Sequence, residues 1–294
     1  MSSTQPTIVI TGANGFLGTQ LVNHFAAKGW HVRALVRNPK TAKKQANVTY
    51  LAYDMTTSFD ESKIFSGADY LVHAAYIKED RKHPNAFELN MEGTKQLLAA
   101  SRTHKLKKNI FLSSMSALPD AVSTYGKQKY AIQNLFNGPH DVVIRSGLMI
   151  GNAGLIREIS QFIKTKHVAP LIDGGNQPLQ TIAVYDMVRV IDRMFALDVT
   201  GTFTIAEPAP ITYRGLYKAI AKKLRTPLVL IPVPFWIPLL VIRTIQMLHL
   251  PFKITEDNLQ GIRKLQAEDT TADLAKLKIT LDPLEIVLDK PNVL

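Results

Sequence analysis

Only one tyrosine in this chain has a lysine four residues later. It is Tyr125, followed by Lys129, among nine tyrosines in all. On a helix this spacing places the two side chains on one face. The pKa of free tyrosine is about 10, and a nearby ammonium favours the phenolate. The pair therefore predicts an acid-base site in which Lys129 lowers the pKa of Tyr125.

A glycine-bearing turn near the start of the chain could hold phosphate. Thr11–Gly18 follows a short β-branched apolar run and precedes a helical pattern of apolar residues. In such a turn Gly12 permits the tight bend, Gly15 lets the backbone approach a pyrophosphate, and Gly18 allows close helix packing. The unpaired N–H groups at the helix N-terminus favour an anion. This arrangement predicts a dinucleotide-binding site.

The residue that follows the second strand bears on which dinucleotide binds. Sites for NAD carry an acidic residue about 20 positions after the glycines, where it holds the ribose 2′-hydroxyl. This chain has Arg37 there. A guanidinium can form charge-assisted hydrogen bonds with a 2′-phosphate, so we expect NADP rather than NAD. Arg33, earlier on the strand, is read as surface charge.

Apolar runs alternate with helical patterns through the first half of the chain. This rhythm predicts an α/β fold with a doubly wound parallel sheet of the Rossmann type and a small C-terminal substrate-binding lobe. The expected domains are a dinucleotide-binding core over residues 1–150, then remaining core elements and the lobe over 151–294. An apolar stretch at 228–242 is broken by prolines and is expected to be a buried helix or pocket wall. The predicted strands are Thr7–Ile10, Val32–Val36, Val48–Ala52, Tyr70–His73, Asn109–Leu112 and Val142–Arg145.

The motif Thr11–Gly18, with its Gly-x-x-Gly-x-x-Gly spacing, resembles the opening of the extended (or atypical) short-chain dehydrogenase/reductase family, which is NAD-dependent epimerase/dehydratase-like. The positions of Tyr125 and Lys129 and the segment Asn90–Thr94 are also similar to that family. The resemblance implies a nicotinamide cofactor. It also implies that Asp54 contacts adenine, that Ala74–Tyr76 passes beneath the cofactor, and that Asn90 steadies the active-site edge of the sheet. The expected cofactor-binding residues are Gly12, Asn14, Gly15, Phe16, Leu17, Gly18, Arg37, Asp54, Met55, Ala74, Ala75, Tyr76, Asn90, Ser113, Tyr125 and Lys129.

The family also places a serine at the end of the strand before the active-site helix, where it hydrogen-bonds the reacting oxygen. The resemblance points to Ser114, with Ser113 and Ser116 as alternatives one or two positions away. The expected catalytic set is Ser114, Tyr125 and Lys129. His73 is expected to be a satisfied polar residue, because the family places no catalytic histidine there. Ser146 stands where the family has proline, a difference that bears on loop rigidity.

These observations favour an enzyme that moves hydride between NADP(H) and a carbonyl or secondary alcohol. One alternative is a nucleotide-sugar epimerase or dehydratase with bound NAD(P), which Arg37 and the short segment after Ser114 disfavour. Another is a non-catalytic dinucleotide-binding or assembly protein, since 255–284 also resembles relatives associated with respiratory complexes. Retention of Tyr125 and Lys129 argues against it. The substrate and the direction of reaction stay open.

The net charge and the lack of cysteine limit which ligands and partners are expected. The 294 residues carry a formal net charge of +11 and no cysteine, which predicts affinity for anions and excludes thiolate metal sites and disulfides. The basic clusters lack interleaved aromatic residues, so nucleic acid is not expected. No metal site is expected either. A small-molecule substrate and a cytoplasmic location are expected, peripheral membrane contact is not favoured, and a homodimer is left open.

Overall fold

The computed structural model describes residues 5–80, 82–238, 240, 260–261, 264–291 and 293–294. Strands and helices alternate along this part of the chain, and short strands follow residue 146. The strands are β1 Thr7–Thr11, β2 His31–Val36, β3 Val48–Ala52, β4 Tyr70–His73, β5 Lys108–Ser114, β6 Asp141–Ser146, β7 Leu148–Ile150, β8 Val168–Ile172, β9 Pro178–Leu179, β10 Thr181–Ala183, β11 Gly201–Ile205, β12 Ile211–Thr212 and β13 Val229–Val233. The helices are α1 Phe16–Ala27, α2 Glu61–Phe65, α3 Ala86–Thr103, α4 Thr124–Gln133, α5 Gly154–Lys166, α6 Val184–Ala196, α7 Tyr213–Leu224, α8 Thr271–Leu277 and α9 Leu284–Asp289.

Seven of the described strands form one parallel sheet, in the order β11-β6-β5-β4-β1-β2-β3. Each of the six strands predicted from the sequence is present, with ends that differ by no more than two residues. The near-continuous runs of buried residues in β1, β4, β5 and β6 are typical of parallel strands covered on both faces, whereas the edge strand β3 buries only Leu51. The predicted doubly wound parallel sheet is confirmed.

The order of the strands reverses at β1. The chain runs from β1 outward through β2 and β3, then returns to place β4 on the other side of β1. In open α/β sheets, ligands bind at the carboxyl ends of strands beside such a reversal. Thr11 ends β1 and pairs in register with His73, which ends β4. The glycine turn therefore starts where this fold class places its ligand.

The chain divides into two compact units, and it passes between them several times. Unit 1 contains the described residues through Ser113, then Gln128–Arg145 and Met187–Phe203. Unit 2 contains Ser114–Lys127, Ser146–Asp186 and the described residues from Thr204 onward. The sequence prediction instead divides the chain once, near residue 150. That prediction also places remaining core elements after residue 150. Parts of α6 and β11 lie in unit 1.

The core of unit 1 includes the apolar face of α1, and that of unit 2 lies between α5, α7 and α9. Leu17, Leu21, Val22 and Phe25 are buried on α1, as their helical spacing predicts. In unit 2, Ile156 and Ile163 of α5 pack with Leu216 and Ile220 of α7 and with Val287 and Leu288 of α9.

The apolar stretch at 228–242 is predicted to be a buried helix or pocket wall, and the structure shows an exposed strand followed by a short helical segment. Residues 229–233 form β13, a strand paired with β8, and residues 236–238 and 240 are helical. Val229 is 64% exposed, and Trp236 is 63% exposed. Pro232 and Pro234 disfavour a helix up to residue 234, because proline lacks the backbone donor that a helix interior needs, and the helical residues start after them. Leu239 and residues 241–242 lie outside the described residues, and within the described ranges no helix is long and apolar enough to cross a membrane.

Candidate active site

The glycine turn has the shape that a dinucleotide cradle requires. Gly12 has φ +65°, and a Cβ added there would lie 2.9 Å from the backbone nitrogen of Ala75. A Cβ at Gly18 would collide with the carbonyl oxygen of Gly12. Both positions therefore need glycine, the first for its conformation as well as its contacts and the second for close packing.

Gly15 needs glycine for a different reason. It has φ −78° and precedes α1 without a side-chain cap, so its backbone suits any residue. Among the described residues, an added Cβ there would have only the Gly12 carbonyl oxygen within 4 Å, at 3.0 Å. The first turn of α1, which starts at Phe16 and Leu17, carries no acidic side chain. The exposed Asn14 and Gly15 thus leave room beside unpaired helix N–H groups, and these residues fit a pyrophosphate.

Arg37 and Asp54 lie where the adenosine end of a dinucleotide would be expected. Arg37 is exposed just after β2, and both residues line a cavity of about 370 Å³ whose wall also includes Lys63. The pKa of Asp54 is lowered, first by hydrogen bonds from the Thr56 hydroxyl and backbone N–H and further by the charge of Arg37. Asp54 is therefore an anion whose Oδ1 is held by its own turn. Arg33 instead donates to the carbonyl oxygen of Ile64 at 2.8 Å.

The segment that ends β4 is fixed by residues of α3. Asn90, 1% exposed, accepts from the N–H of Ile77 at 2.9 Å and donates to the carbonyl oxygens of Ile77 and Ala86 at 2.8 Å. Both amide hydrogens are thereby used. Asn90 was predicted to bind the cofactor, but these contacts show it holding the backbone that follows Ala74–Tyr76. The resemblance had implied this steadying role.

In the segment Asn90–Thr94 of α3, the glycine is explained by a close contact between Gly93 and Met55. A Cβ on Gly93 would lie 2.7 Å from the carbonyl oxygen of Met55. Met55 is buried at 8% exposure, so α3 packs directly on the loop that follows β3. The glycine in Asn90–Thr94 is required by this close approach, which the sequence pattern did not reveal.

The structure separates the roles of the neighbouring serines. Ser113, 5% exposed, donates to Oε1 of Gln133 on α4 at 2.6 Å within unit 1. Ser114 and Ser116 lie in unit 2 with their hydroxyl oxygens 2.8 Å apart. Successive side chains of a strand point to opposite faces, which accounts for the different partners of Ser113 and Ser114. The hydroxyl of Ser113 therefore binds α4 through Gln133.

Tyr125 lies in unit 2 with Ser114 as a hydrogen-bond partner. Its side chain is 40% exposed, while the hydroxyl is surrounded by protein atoms. Burial raises the pKa of Tyr125 to about 12, and the hydrogen bond from Ser114 opposes that rise. The pKa of Tyr125 is therefore raised, and the expected lowering is wrong. At neutral pH the phenol is protonated.

Lys129 lies one turn further along α4, in unit 1, where it is 5% exposed. Its Nζ donates to the carbonyl oxygen of Leu112 at 2.8 Å. The rings of Tyr76 and Phe111 lie 4.6 and 4.8 Å from Nζ, a cation–π arrangement that stabilises an ammonium. Burial nevertheless lowers the pKa of Lys129 to about 7. Tyr76 also donates to Oε1 of Gln128 at 2.6 Å, so the ring is itself held in place.

Ser146 and Gly147 belong to unit 2 and are fixed by contacts within that unit. A Cβ on Gly147 would lie 2.6 Å from the carbonyl oxygen of Gln180. Ser146 donates to the carbonyl oxygen of Gly147 at 2.8 Å and accepts from the N–H of Met115 at 3.0 Å. These bonds fix the loop without the proline that the family carries.

Comparison with known proteins confirms the resemblance identified from the motifs. Residues 8–141 match the NAD dependent epimerase/dehydratase family. The chain is 27% identical over 148 residues to a ceramide reductase of Caulobacter vibrioides, which covers 49% of this chain and 46% of that protein. It is 32% identical over 114 residues to a 4-hydroxy-2-methyl-3-oxo-4-farnesyl-3,4-dihydroquinoline-1-oxide ketoreductase of Stigmatella aurantiaca, covering 38% of this chain and 34% of that protein. The aligned regions thus span less than half the length of these curated relatives.

The fold is shared with solved enzymes. A UDP-glucuronic acid 4-epimerase from Bacillus cereus, in complex with UDP-glucuronic acid and NAD, superposes with a TM-score of 0.76 at 19% identity, covering 96% of each chain. At this identity the likeness shows the fold. The matched segment 8–141 contains the glycine turn, Ser114, Tyr125 and Lys129. The family is described as NAD dependent, and the Bacillus cereus epimerase is in complex with NAD.

Proposed function

We propose that this protein, whose residues 8–141 match the NAD dependent epimerase/dehydratase family, is an NADP(H)-dependent oxidoreductase that reduces a carbonyl substrate to a secondary alcohol. The observation that carries the proposal is that Ser114 is a hydrogen-bond partner of Tyr125, whose pKa is raised by burial. A phenol already holding its proton at neutral pH suits reduction, in which the carbonyl oxygen must gain one.

In the proposed reduction, each residue of the site has a separate role. When bound, the nicotinamide supplies the hydride. Tyr125 gives its hydroxyl proton to the carbonyl oxygen, and Ser114 turns its own hydroxyl toward that oxygen and polarises it. Lys129 lies one helical turn from Tyr125 and, in its protonated form, stabilises the phenolate left behind. The glycine turn and the first N–H groups of α1 bind the pyrophosphate.

The preference for NADP rests on the exposed Arg37. A guanidinium matches the doubly charged 2′-phosphate, whereas the 2′-hydroxyl of NAD calls for an acidic acceptor. Lys63 adds a second cation to the same cavity, and Asp54 adds an opposing charge. Fluorescence titration with NADPH and NADH tests the preference, and tighter binding of NADH by the wild-type protein would contradict it.

The substrate class is proposed from the named relatives. Ceramide and the farnesyl-bearing quinoline oxide both carry long apolar chains, so long-chain ketones lead the substrate panel. Reduction is followed as loss of NADPH absorbance. Ketone-dependent oxidation of NADPH that falls strongly in Tyr125→Phe supports the proposal, and its absence across the panel counts against it.

Epimerisation of a nucleotide sugar is the second candidate. The family description and the UDP-glucuronic acid 4-epimerase fold favour it. An epimerase recycles its cofactor within one turnover, so it would isomerise UDP-sugars with no net change in nicotinamide absorbance. Chromatography of UDP-glucose and UDP-glucuronic acid after incubation separates the two candidates. A protein that binds the dinucleotide but turns over neither substrate class would favour a non-catalytic role.

A further inference from the structure

His73 lies buried at the carboxyl end of β4, beside the end of β1. It is 1% exposed and belongs to unit 1. Its Nδ1 lies 2.7 Å from the hydroxyl oxygen of Thr11, and its Nε2 lies 3.0 Å from that of Thr94 on α3. The imidazole therefore joins β1 to α3 through two hydroxyls.

The hydrogen bonds of Thr11 fix the tautomer of His73. The Thr11 hydroxyl oxygen accepts from the backbone N–H groups of Ala74 and Ala75, both at 3.1 Å. A hydroxyl has two acceptor lone pairs and one hydrogen. With both lone pairs used, its hydrogen points to Nδ1 of His73. Nδ1 is then an acceptor, and the ring proton lies on Nε2, which donates to Thr94.

The same bonds keep His73 uncharged. A proton added at Nδ1 would face an oxygen whose lone pairs are already engaged. The rings of Phe111 and Phe136 lie at 5.6 and 6.3 Å between centroids and offer no acceptor. Burial and the charge of Lys129 lower the pKa of His73 to about 3. His73 is therefore a fixed donor and acceptor rather than an acid or base.

The Thr11 hydroxyl lies at the point where two predicted cofactor-binding segments meet. Gly12, the next residue, approaches the backbone of Ala74 and Ala75 so closely that a Cβ would lie 2.9 Å from the nitrogen of Ala75. The orientation of one hydroxyl, set by His73, thus determines how the glycine turn and the end of β4 are held together.

We propose that His73 is a positioning residue for the dinucleotide, acting as an uncharged acceptor at Nδ1 that orients the Thr11 hydroxyl toward the N–H groups of Ala74 and Ala75. This role rests on the proposed function in that it takes a dinucleotide as the ligand. It leaves the proton chemistry with Tyr125.

Two valine variants separate positioning from general stability. Thr11→Val and Thr94→Val each keep the β-branched shape and each remove one hydrogen bond to His73. Only Thr11→Val also releases the two backbone N–H groups. We expect Thr11→Val to raise the Kd for NADPH about tenfold or more, the effect of leaving two partly buried donors unpaired. We expect Thr94→Val to raise it less than about threefold. Titration by fluorescence and thermal melting are run on both. Equal Kd values for the two variants would overturn the proposal.

Substitutions of His73 test the acceptor itself. The amide oxygen of Asn can stand near the Nδ1 position, whereas the longer Gln side chain reaches the Nε2 position. We expect His73→Asn to keep the Kd within about threefold of wild type, and His73→Gln to raise it about tenfold. On any substrate that is turned over, His73→Gln should raise KM for the cofactor and leave kcat nearly unchanged. Wild-type affinity in His73→Gln, or equal weakening in both variants, would overturn the positioning role.

NADPH binding and substrate turnover by the wild-type protein show whether the role of His73 or the proposed function has failed. If it binds NADPH but turns over no substrate, the oxidoreductase proposal fails and the role of His73 stands. If it binds and turns over substrate, and all these variants bind equally, only the role of His73 fails. If it binds neither NADPH nor NADH, both are overturned.

Discussion

Gly15→Val should abolish dinucleotide binding while leaving the protein folded. The backbone at Gly15 has φ −78°, so the substitution causes no conformational strain. A Cβ would press on the Gly12 carbonyl oxygen at 3.0 Å, and valine is a poorer N-cap than glycine, for a combined cost of about 1 kcal/mol. In a chain of 294 residues, that corresponds to a melting temperature lower by about 2 °C.

The loss of binding should be far larger than the loss of stability. The branched side chain would occupy the room beside the N–H groups of α1, where the pyrophosphate is proposed to lie. Losing two or more charge-assisted hydrogen bonds weakens binding by at least about 100-fold. Calorimetric titration of NADPH measures this loss, and differential scanning calorimetry checks the fold.

Gly215→Val is the matched control for that experiment. Gly215 lies in α7 of unit 2, and an added Cβ there would be 3.4 Å from the Thr212 hydroxyl oxygen, an ordinary contact. This variant should bind NADPH like the wild type. If Gly15→Val also bound NADPH normally at a similar melting temperature, our placement of the pyrophosphate would be refuted.

Three further variants or conditions test other parts of the site. Tyr125→Phe should leave NADPH affinity unchanged and reduce turnover by about 10² to 10⁴, the range for positioned acid-base groups; steady-state kinetics at wild-type rates would contradict this role. Arg37→Asp should weaken NADPH at least tenfold relative to NADH, because a charge-assisted pair becomes repulsive, and an unchanged ratio in paired titrations would remove Arg37 from the site. For His73 the folded pKa of about 3 lies below its ordinary value of 6.5. The unfolded chain therefore binds the extra proton first as the pH falls, and the free energy of unfolding should decrease below pH 6.5 by about 1.4 kcal/mol per pH unit. Urea unfolding between pH 7.5 and 5 would show this slope in the wild type, and an equal slope in His73→Asn would assign it to other groups.

Local sequence patterns were sufficient to predict the sheet and the glycine turn. Short runs of β-branched and other apolar residues are typical of buried parallel strands. The need for glycine at Gly12 and Gly18 follows from contacts only a few residues away or at the neighbouring strand. The helix spacing of Tyr125 and Lys129 is likewise a local property. These features depend on neighbours along the chain or on the regular geometry of the fold class.

The features that sequence reasoning missed depend on contacts between distant residues. The pKa of Tyr125 is set by burial of its hydroxyl, which the spacing to Lys129 does not report. Ser113 and Ser114 are chemically identical, and only their partners, Gln133 and Tyr125, separate them. Strand alternation could have signalled that the two serines face opposite sides. The double use of the Thr11 hydroxyl has no sequence signature at all.

The transfer of deuteride tests the central claim most directly. NADPH carrying deuterium on the transferred face of C4 is incubated with the wild-type protein and a reducible long-chain ketone, and the products are analysed by mass spectrometry. The account predicts one deuterium on the carbinol carbon for each NADPH oxidised, with the same label appearing far more slowly in Tyr125→Phe. Isomerised UDP-sugar with no net oxidation of NADPH, or labelled alcohol formed equally fast by Tyr125→Phe, would contradict it.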